Sequence, residues 1–131
     1  MIARGPFDVK VIPQAADDTA GGPFPRLFLD KKFHGGLEAT SNGQMMAAAT
    51  AVEGSAGYVA LELVHGSLDG RRGSFILQHS GTMTKGVPSL LVTVVPDSGT
   101  EELTGLAGRM AIMNAGGIHS YELDYTIGAS H

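Results

Sequence analysis

Gly57-Tyr-Val-Ala-Leu-Glu-Leu-Val-His-Gly66, Ser67-Leu-Asp-Gly-Arg-Arg72 and Gly73-Ser-Phe-Ile-Leu-Gln-His-Ser-Gly81 follow one another without a break and read as two strands joined by a turn. A two-residue turn at Gly70-Arg71 and a four-residue turn from Asp69 to Arg72 give the same register. Leu68 then faces Gly73, Val64 faces Leu77, and Glu62 faces His79. One face of the hairpin carries Tyr58, Ala60, Glu62, Val64, Phe75, Leu77 and His79. The other carries Val59, Leu61, Leu63, His65, Ile76, Gln78 and Ser80. Neither is wholly polar, and the aromatic side chains Tyr58 and Phe75 select the Glu62 face as the inward one.

Outward from this hairpin the chain keeps to short extended segments. Phe7-Asp-Val-Lys-Val-Ile12 alternates and stops at Pro13, and residues 14–25 are too rich in Gly, Pro and Asp for a regular element. Leu27–Phe33 is a strand, Gly35-Gly36 a turn or bulge, and residues 37–42 a further strand. The segment 44–52 has the alanine and methionine content of a helix. Its flanks, Asn42-Gly43 and Glu53–Gly57, are hairpin-like, so a strand is the preferred reading. Ser89–Val95 is a β-branched run of the kind buried on both faces. Ser98 with Glu101 has capping-box spacing and predicts one helical turn before Gly105, pinned by Leu103 and Leu106. Residues 109–113 and 119–127 make a last hairpin about Gly116-Gly117, with Tyr121, Leu123, Tyr125 and Ile127 on one face. About eight short strands are most simply relieved of their edges by closure. The fold expected is all-β, a single eight-stranded antiparallel closed barrel with one short helical turn, over residues 1–131 with its core at about 7–127.

Composition narrows the function. A chain of 131 residues can bury roughly two-thirds of its unfolded surface in one core. The formal charge is −4 and the nine basic residues are scattered, which argues against nucleic acid as a partner. With no cysteine there is no disulfide, thiolate ligand or cysteine nucleophile. No apolar run approaches the roughly 20 residues of a membrane helix, and the N-terminus lacks an apolar signal region, so a cytoplasmic protein without a membrane partner is expected. His34, His65, His119 and His131 fall into no metal-ligand spacing, so neither a metal nor another cofactor is expected.

The chemistry worth weighing lies in Glu62 and His79. Burial raises a carboxyl pKa, whereas a cationic imidazole beside it lowers the value. Such a pair serves as general base and acid in an isomerisation or cyclisation, or it satisfies itself and holds strand register. In the first case Tyr121 or Tyr125 would donate to developing negative charge, and Tyr58, Phe75 and Leu77 would line the ligand's pocket.

Tyr58-Val-Ala-Leu-Glu62, Gly66-Ser-Leu-Asp-Gly-Arg71, Gly73–Gly81 and Val94-Val-Pro-Asp-Ser-Gly-Thr-Glu-Glu-Leu-Thr-Gly-Leu-Ala-Gly108 together resemble a bacterial domain-of-unknown-function family, number 3224, over about residues 7–127. The resemblance implies an allene-oxide-cyclase-like, lipocalin-resembling barrel. The Ser98-Gly-Thr…Leu103-x-Gly-Leu-x-Gly108 segment is similar to a turn of allene oxide cyclases and dirigent proteins. Barrels of that kind are related to cofactor-free cyclases and isomerases of apolar substrates. Members usually carry arginine or another long polar residue where Leu63 stands, an aromatic at Val92, and a more aromatic pair at Met45-Met46. An outward Leu63 would add apolar surface compatible with a homodimer interface; an inward one would reverse the face assignment. Three readings therefore stand side by side: a cofactor-independent isomerase or cyclase using Glu62 and His79, a binder of a small hydrophobic molecule in the barrel, and a packed barrel acting through an oligomer interface.

Overall fold

The computed structural model describes residues 1–14 and 24–128. Eight antiparallel strands follow in chain order and close on themselves: β1 (Ile2–Pro13), β2 (Arg26–Phe33), β3 (Leu37–Ala49), β4 (Ala56–Leu68), β5 (Arg71–Thr84), β6 (Val87–Val94), β7 (Leu106–Ala115) and β8 (Ile118–Ile127). The expected all-β antiparallel barrel is what forms, with a 3₁₀ turn at Glu101–Leu103. β1 completes the closure because its two halves serve different neighbours. Ile2–Phe7 pairs with β8 and Phe7–Pro13 with β2.

Segment 44–52 proves extended through Ala49, and Asn42-Gly43 is no turn, since β3 crosses it without interruption. The reason lies across the sheet. Gly43 pairs with Glu62, and a Cβ at Gly43 would lie 2.4 Å from the Leu61 carbonyl oxygen and 2.7 Å from the Glu62 Cβ. The glycine is a slot for a neighbour's side chain rather than a hinge.

The register of the β4–β5 hairpin differs from the expected one by two residues. The turn is Asp69-Gly70, with Leu68 paired to Arg71. Both central residues have positive φ, 48° and 86°, the geometry of a type I′ turn, which Asp-Gly adopts readily and Gly-Arg does not. Val64 therefore pairs with Phe75, Glu62 with Leu77, and His79 with Ala60. An offset of two preserves side-chain parity, so the Glu62 face does point inward: Ala60, Glu62, Val64, Phe75, Leu77 and His79 are all buried.

Two further expectations are corrected. Ser98 does not cap the helical turn; Thr100 occupies the N-cap position and makes no side-chain cap bond. The Ser98 hydroxyl instead donates to the Val95 carbonyl and accepts from the Ile76 amide. Thr100 and Glu102 likewise bind the amides of Ser74 and Arg72. This segment thus covers the part of β5 that β6 does not reach, and Leu103 and Leu106 are buried beneath it as expected. β6 is not buried on both faces: Val87–Leu91 is exposed, and only Val92 and Val94 enter the core. Val87, Ser89 and Leu91 alternate to the outer face, while Pro88 and Leu90 lie beyond the single β6–β7 pair, Thr93–Arg109. Of the predicted 14–25 loop, residues 15–23 lie outside the described residues, as does His131.

Candidate functional site

Four consecutive strands each send one polar side chain into the barrel. Lys31 comes from β2, Ser41 from β3, Glu62 from β4 and His79 from β5, and all four are buried. Glu62 sits at the centre. Its Oε2 accepts from the Lys31 Nζ at 2.8 Å and lies 2.5 Å from the His79 Nε2, while its Oε1 accepts from the Ser41 Oγ at 2.8 Å. Although Glu62 and His79 are not directly opposed, a diagonal pair on one face of a sheet is within reach of long side chains. The expected contact between the two therefore exists in an altered register.

Burial alone pushes the Glu62 carboxyl up, but the hydrogen bond from His79 and the charge and hydrogen bond of Lys31 outweigh it and hold the group at about 2. An ionised Glu62 accepts, so Nε2 of His79 carries the donated proton. The Lys31 ammonium also faces the rings of Phe7 and Phe33, 5.3 and 5.9 Å from their centroids, an arrangement that compensates a desolvated cation. Lys31 and Ser41 were absent from the sequence-derived site. A signal for Lys31 was present, because Leu27, Leu29, Lys31 and Phe33 share a strand face and only the lysine breaks its apolar pattern. For Ser41 there was none.

The remaining predicted residues separate into two groups. Tyr58 is half-buried beside the network, its ring 6.3 Å from that of His79 and packed on Gly81. Burial, and then the Glu62 charge, raise its pKa. Phe75 and Leu77 belong to the closed core. Tyr121 and Tyr125 are tied to turns: the Tyr121 hydroxyl accepts from the Leu37 amide and donates to the His34 carbonyl, and the Tyr125 hydroxyl donates to the Asp69 carboxylate. Burial, then Asp69, pushes Tyr125 up to about 12. The structure does not bring these two hydroxyls to the Glu62–His79 pair, to which neither is hydrogen-bonded.

A concavity lies elsewhere, on the other side of the barrel wall. About 960 Å³ is framed on the outside of β3–β5 by Asn42, Gln44, Met46, Val59, Leu61, Leu63, Ile76 and Gln78, with Arg26 at its edge. Glu62 and His79 border it across the sheet, with side chains 0% and 3% exposed, so their reactive atoms face the opposite side of the wall. Leu63 points outward and is 42% exposed, which settles the alternative that its apolar character raised. Among the described residues no group of three or more His, Cys, Asp or Glu is placed to hold a metal, and no helix is long and apolar enough to cross a membrane.

Comparison with known proteins places these features in a family. The family described as "Protein of unknown function (DUF3224)" matches residues 3–125. The crystal structure of a DUF3224 protein of unknown function from Shewanella oneidensis MR-1, at 1.84 Å resolution, is 51% identical, with a TM-score of 0.91 over 99% of this chain and 98% of that one. No curated protein matches. The chain belongs to the DUF3224 family.

Proposed function

We propose that this DUF3224 barrel is a non-catalytic binding protein whose working surface is the uncharged concave outer face of β3–β5. The observation that carries the reading is the state of Glu62. Its carboxylate is fully enclosed, is engaged by three donors, and is held at about 2. A general base works best with a pKa near the operating pH and must reach the proton it removes; this group does neither. The outer face, by contrast, offers volume, accessible apolar side chains and the neutral amides of Asn42, Gln44 and Gln78, the composition of a site for an apolar and uncharged partner.

Fluorescence of the neutral dye Nile red tests this directly. Wild-type protein should enhance its emission, and Leu61→Arg, at an exposed position in the middle of the face, should abolish the enhancement. Retention of full dye binding in that variant would refute the assignment.

A second reading keeps the fold analogy to allene-oxide-cyclase-like barrels and makes the chain a cofactor-independent isomerase or cyclase of a small hydrophobic molecule held inside. One observation favours it: half-buried Tyr58 stands beside the network, its ring 6.3 Å from that of His79. In this reading Glu62 and His79 are the acid–base pair and Tyr58 orients the substrate. Glu62→Gln should then abolish turnover of a co-purifying molecule identified by native mass spectrometry while leaving its affinity intact; unchanged turnover would remove Glu62 from the mechanism.

A further inference from the structure

Apart from Glu62, which points inward, β4 carries no Lys, Arg, Asp or Glu from Ala56 to Leu68; β5 carries none from Gly73 to Thr84, β6 none along its whole length, and β3 none from Ala39 to Ala49. The outer face of four neighbouring strands therefore has no formal charge outside its margins. A soluble domain ordinarily intersperses charges over such an area and avoids contiguous apolar patches. Here the patch is contiguous. Cross-strand pairing aligns Phe28, Gln44, Leu61, Gln78 and Thr93 in one row, and Arg26, Met46, Val59, Ser80 and Leu91 in the next. Leu61 is 55% exposed, Val59 53%, Leu91 49% and Phe28 46%.

We infer that this face is covered by a second copy of the chain, in a two-fold dimer whose β4 strands cross near Leu61. The inference rests on the outer-face reading above and names its partner. Shape supplies the first argument. A barrel wall is part of a hyperboloid, convex around the barrel and concave along it, and the 960 Å³ concavity on β3–β5 lies on the outside of that wall. Two identical saddles fit when one is turned by roughly 90°, convex direction into concave, which is the orthogonal mode of sheet packing. A two-fold axis lying between the sheets at 45° to both sets of strands produces that crossing, so the contact is isologous.

Charge supplies the second argument. Each copy has a formal charge of −4, yet near the axis an isologous contact sets a patch against itself. Only a patch without charge avoids meeting its own sign there. Area supplies the third. Four strands at about 4.8 Å and seven residues at about 3.3 Å make a patch of roughly 440 Å² in projection, and Phe28 on the β2 margin continues it. Side-chain relief raises this toward the roughly 800 Å² that each partner contributes to a stable interface.

Sedimentation equilibrium over a concentration series, run beside the Nile red titration, tests the inference; the dye and the second copy compete for one face, so dye enhancement per chain should be greatest in dilute protein and fall as dimers form. Wild type should sediment near twice the 13.6 kDa of the chain, and Leu61→Arg should sediment as a monomer with unchanged circular dichroism. Should that variant misfold, Leu63→Arg gives the same readout at a second exposed position. Dimers that persist in folded Leu61→Arg and Leu63→Arg proteins would overturn the assignment. A monomeric wild type whose dye binding is still lost in Leu61→Arg overturns the second copy and leaves the outer-face reading standing. A monomeric wild type with dye binding indifferent to the substitution ends both.

Discussion

Replacing Glu62 by glutamine removes one charge and keeps the volume, and it should remove this carboxyl's share of the acid limb of the stability profile. The folded carboxyl is held at about 2 against a reference of 4.5. At about 1.4 kcal/mol per pH unit that difference is worth roughly 3 kcal/mol. Because the folded value is depressed, the contribution is fully present above about pH 4.5 and is lost as the pH falls towards 2. The side chain is 0% exposed, so solvent does not screen the interaction away. An independent estimate agrees: removing one member of a buried ion pair costs about 3–5 kcal/mol, since the other charge is left uncompensated. For 131 residues, an unfolding entropy of about 2.1 cal/mol/K per residue turns 3 kcal/mol into a fall in Tm of about 10 °C. Urea denaturation followed by circular dichroism at half-unit steps from pH 7 to pH 2 is the assay. Wild type should lose its advantage over Glu62→Gln progressively below pH 4.5. Parallel profiles for the two proteins would show that the network does not stabilise the barrel through the ionised carboxylate.

Three further outcomes follow from the same contacts. Gly43→Ala drives a methyl to 2.4 Å from the Leu61 carbonyl oxygen and should cost about 1–3 kcal/mol as overpacking, read as a lower urea midpoint; an unchanged midpoint would mean that β3 and β4 separate freely there. Tyr125→Phe leaves the Asp69 carboxylate without its buried-side donor and should cost about 1–2 kcal/mol, with the Tyr125 hydroxyl of wild type resisting ionisation until about pH 12 in a spectrophotometric titration. Ser98→Ala unmakes the bridge between the Ile76 amide and the Val95 carbonyl. It should raise amide exchange at Ile76 by tenfold or so, about 1.4 kcal/mol of local protection, and equal exchange rates in both proteins would rule the bridge out.

The parts legible in sequence were those fixed by local pattern. Alternation along residues 119–127 put Tyr121, Leu123 and Tyr125 on one face, and all three are buried. The parts misread were those in which a glycine-containing pair has two physical uses. Asn42-Gly43 resembles a hairpin turn, yet its glycine makes room for a side chain on β4. Asp69-Gly70 is a hairpin turn and was displaced by a competing turn at Gly70-Arg71. Local sequence does not separate these cases, because the deciding atoms belong to the neighbouring strand. The same holds for the site. Glu62 and His79 stood out as polar residues in apolar strands, whereas Ser41 sits in a polar stretch and becomes notable only because β3 lies beside β4.

This leaves the question of why an apolar barrel should enclose four polar side chains at all. On β4 the inward face carries Tyr58, Ala60, Glu62 and Val64, and the outward face carries Val59, Leu61 and Leu63. A one-residue slip would exchange the faces. The exchanged register would place Leu61 and Leu63 in the core and Glu62 in water, so burial of apolar area does not oppose it. What opposes it is the network: only the native register lets Glu62 meet Lys31, Ser41 and His79 together, and only there is Lys31 neutralised between two aromatic rings. A slipped β4 would leave a buried ammonium unpaired, a penalty of several kcal/mol. The polar interior and the apolar exterior are thus two sides of one arrangement. The network fixes which face of β4 looks inward, and in doing so commits Val59, Leu61 and Leu63 to the outside, where the proposed second copy covers them.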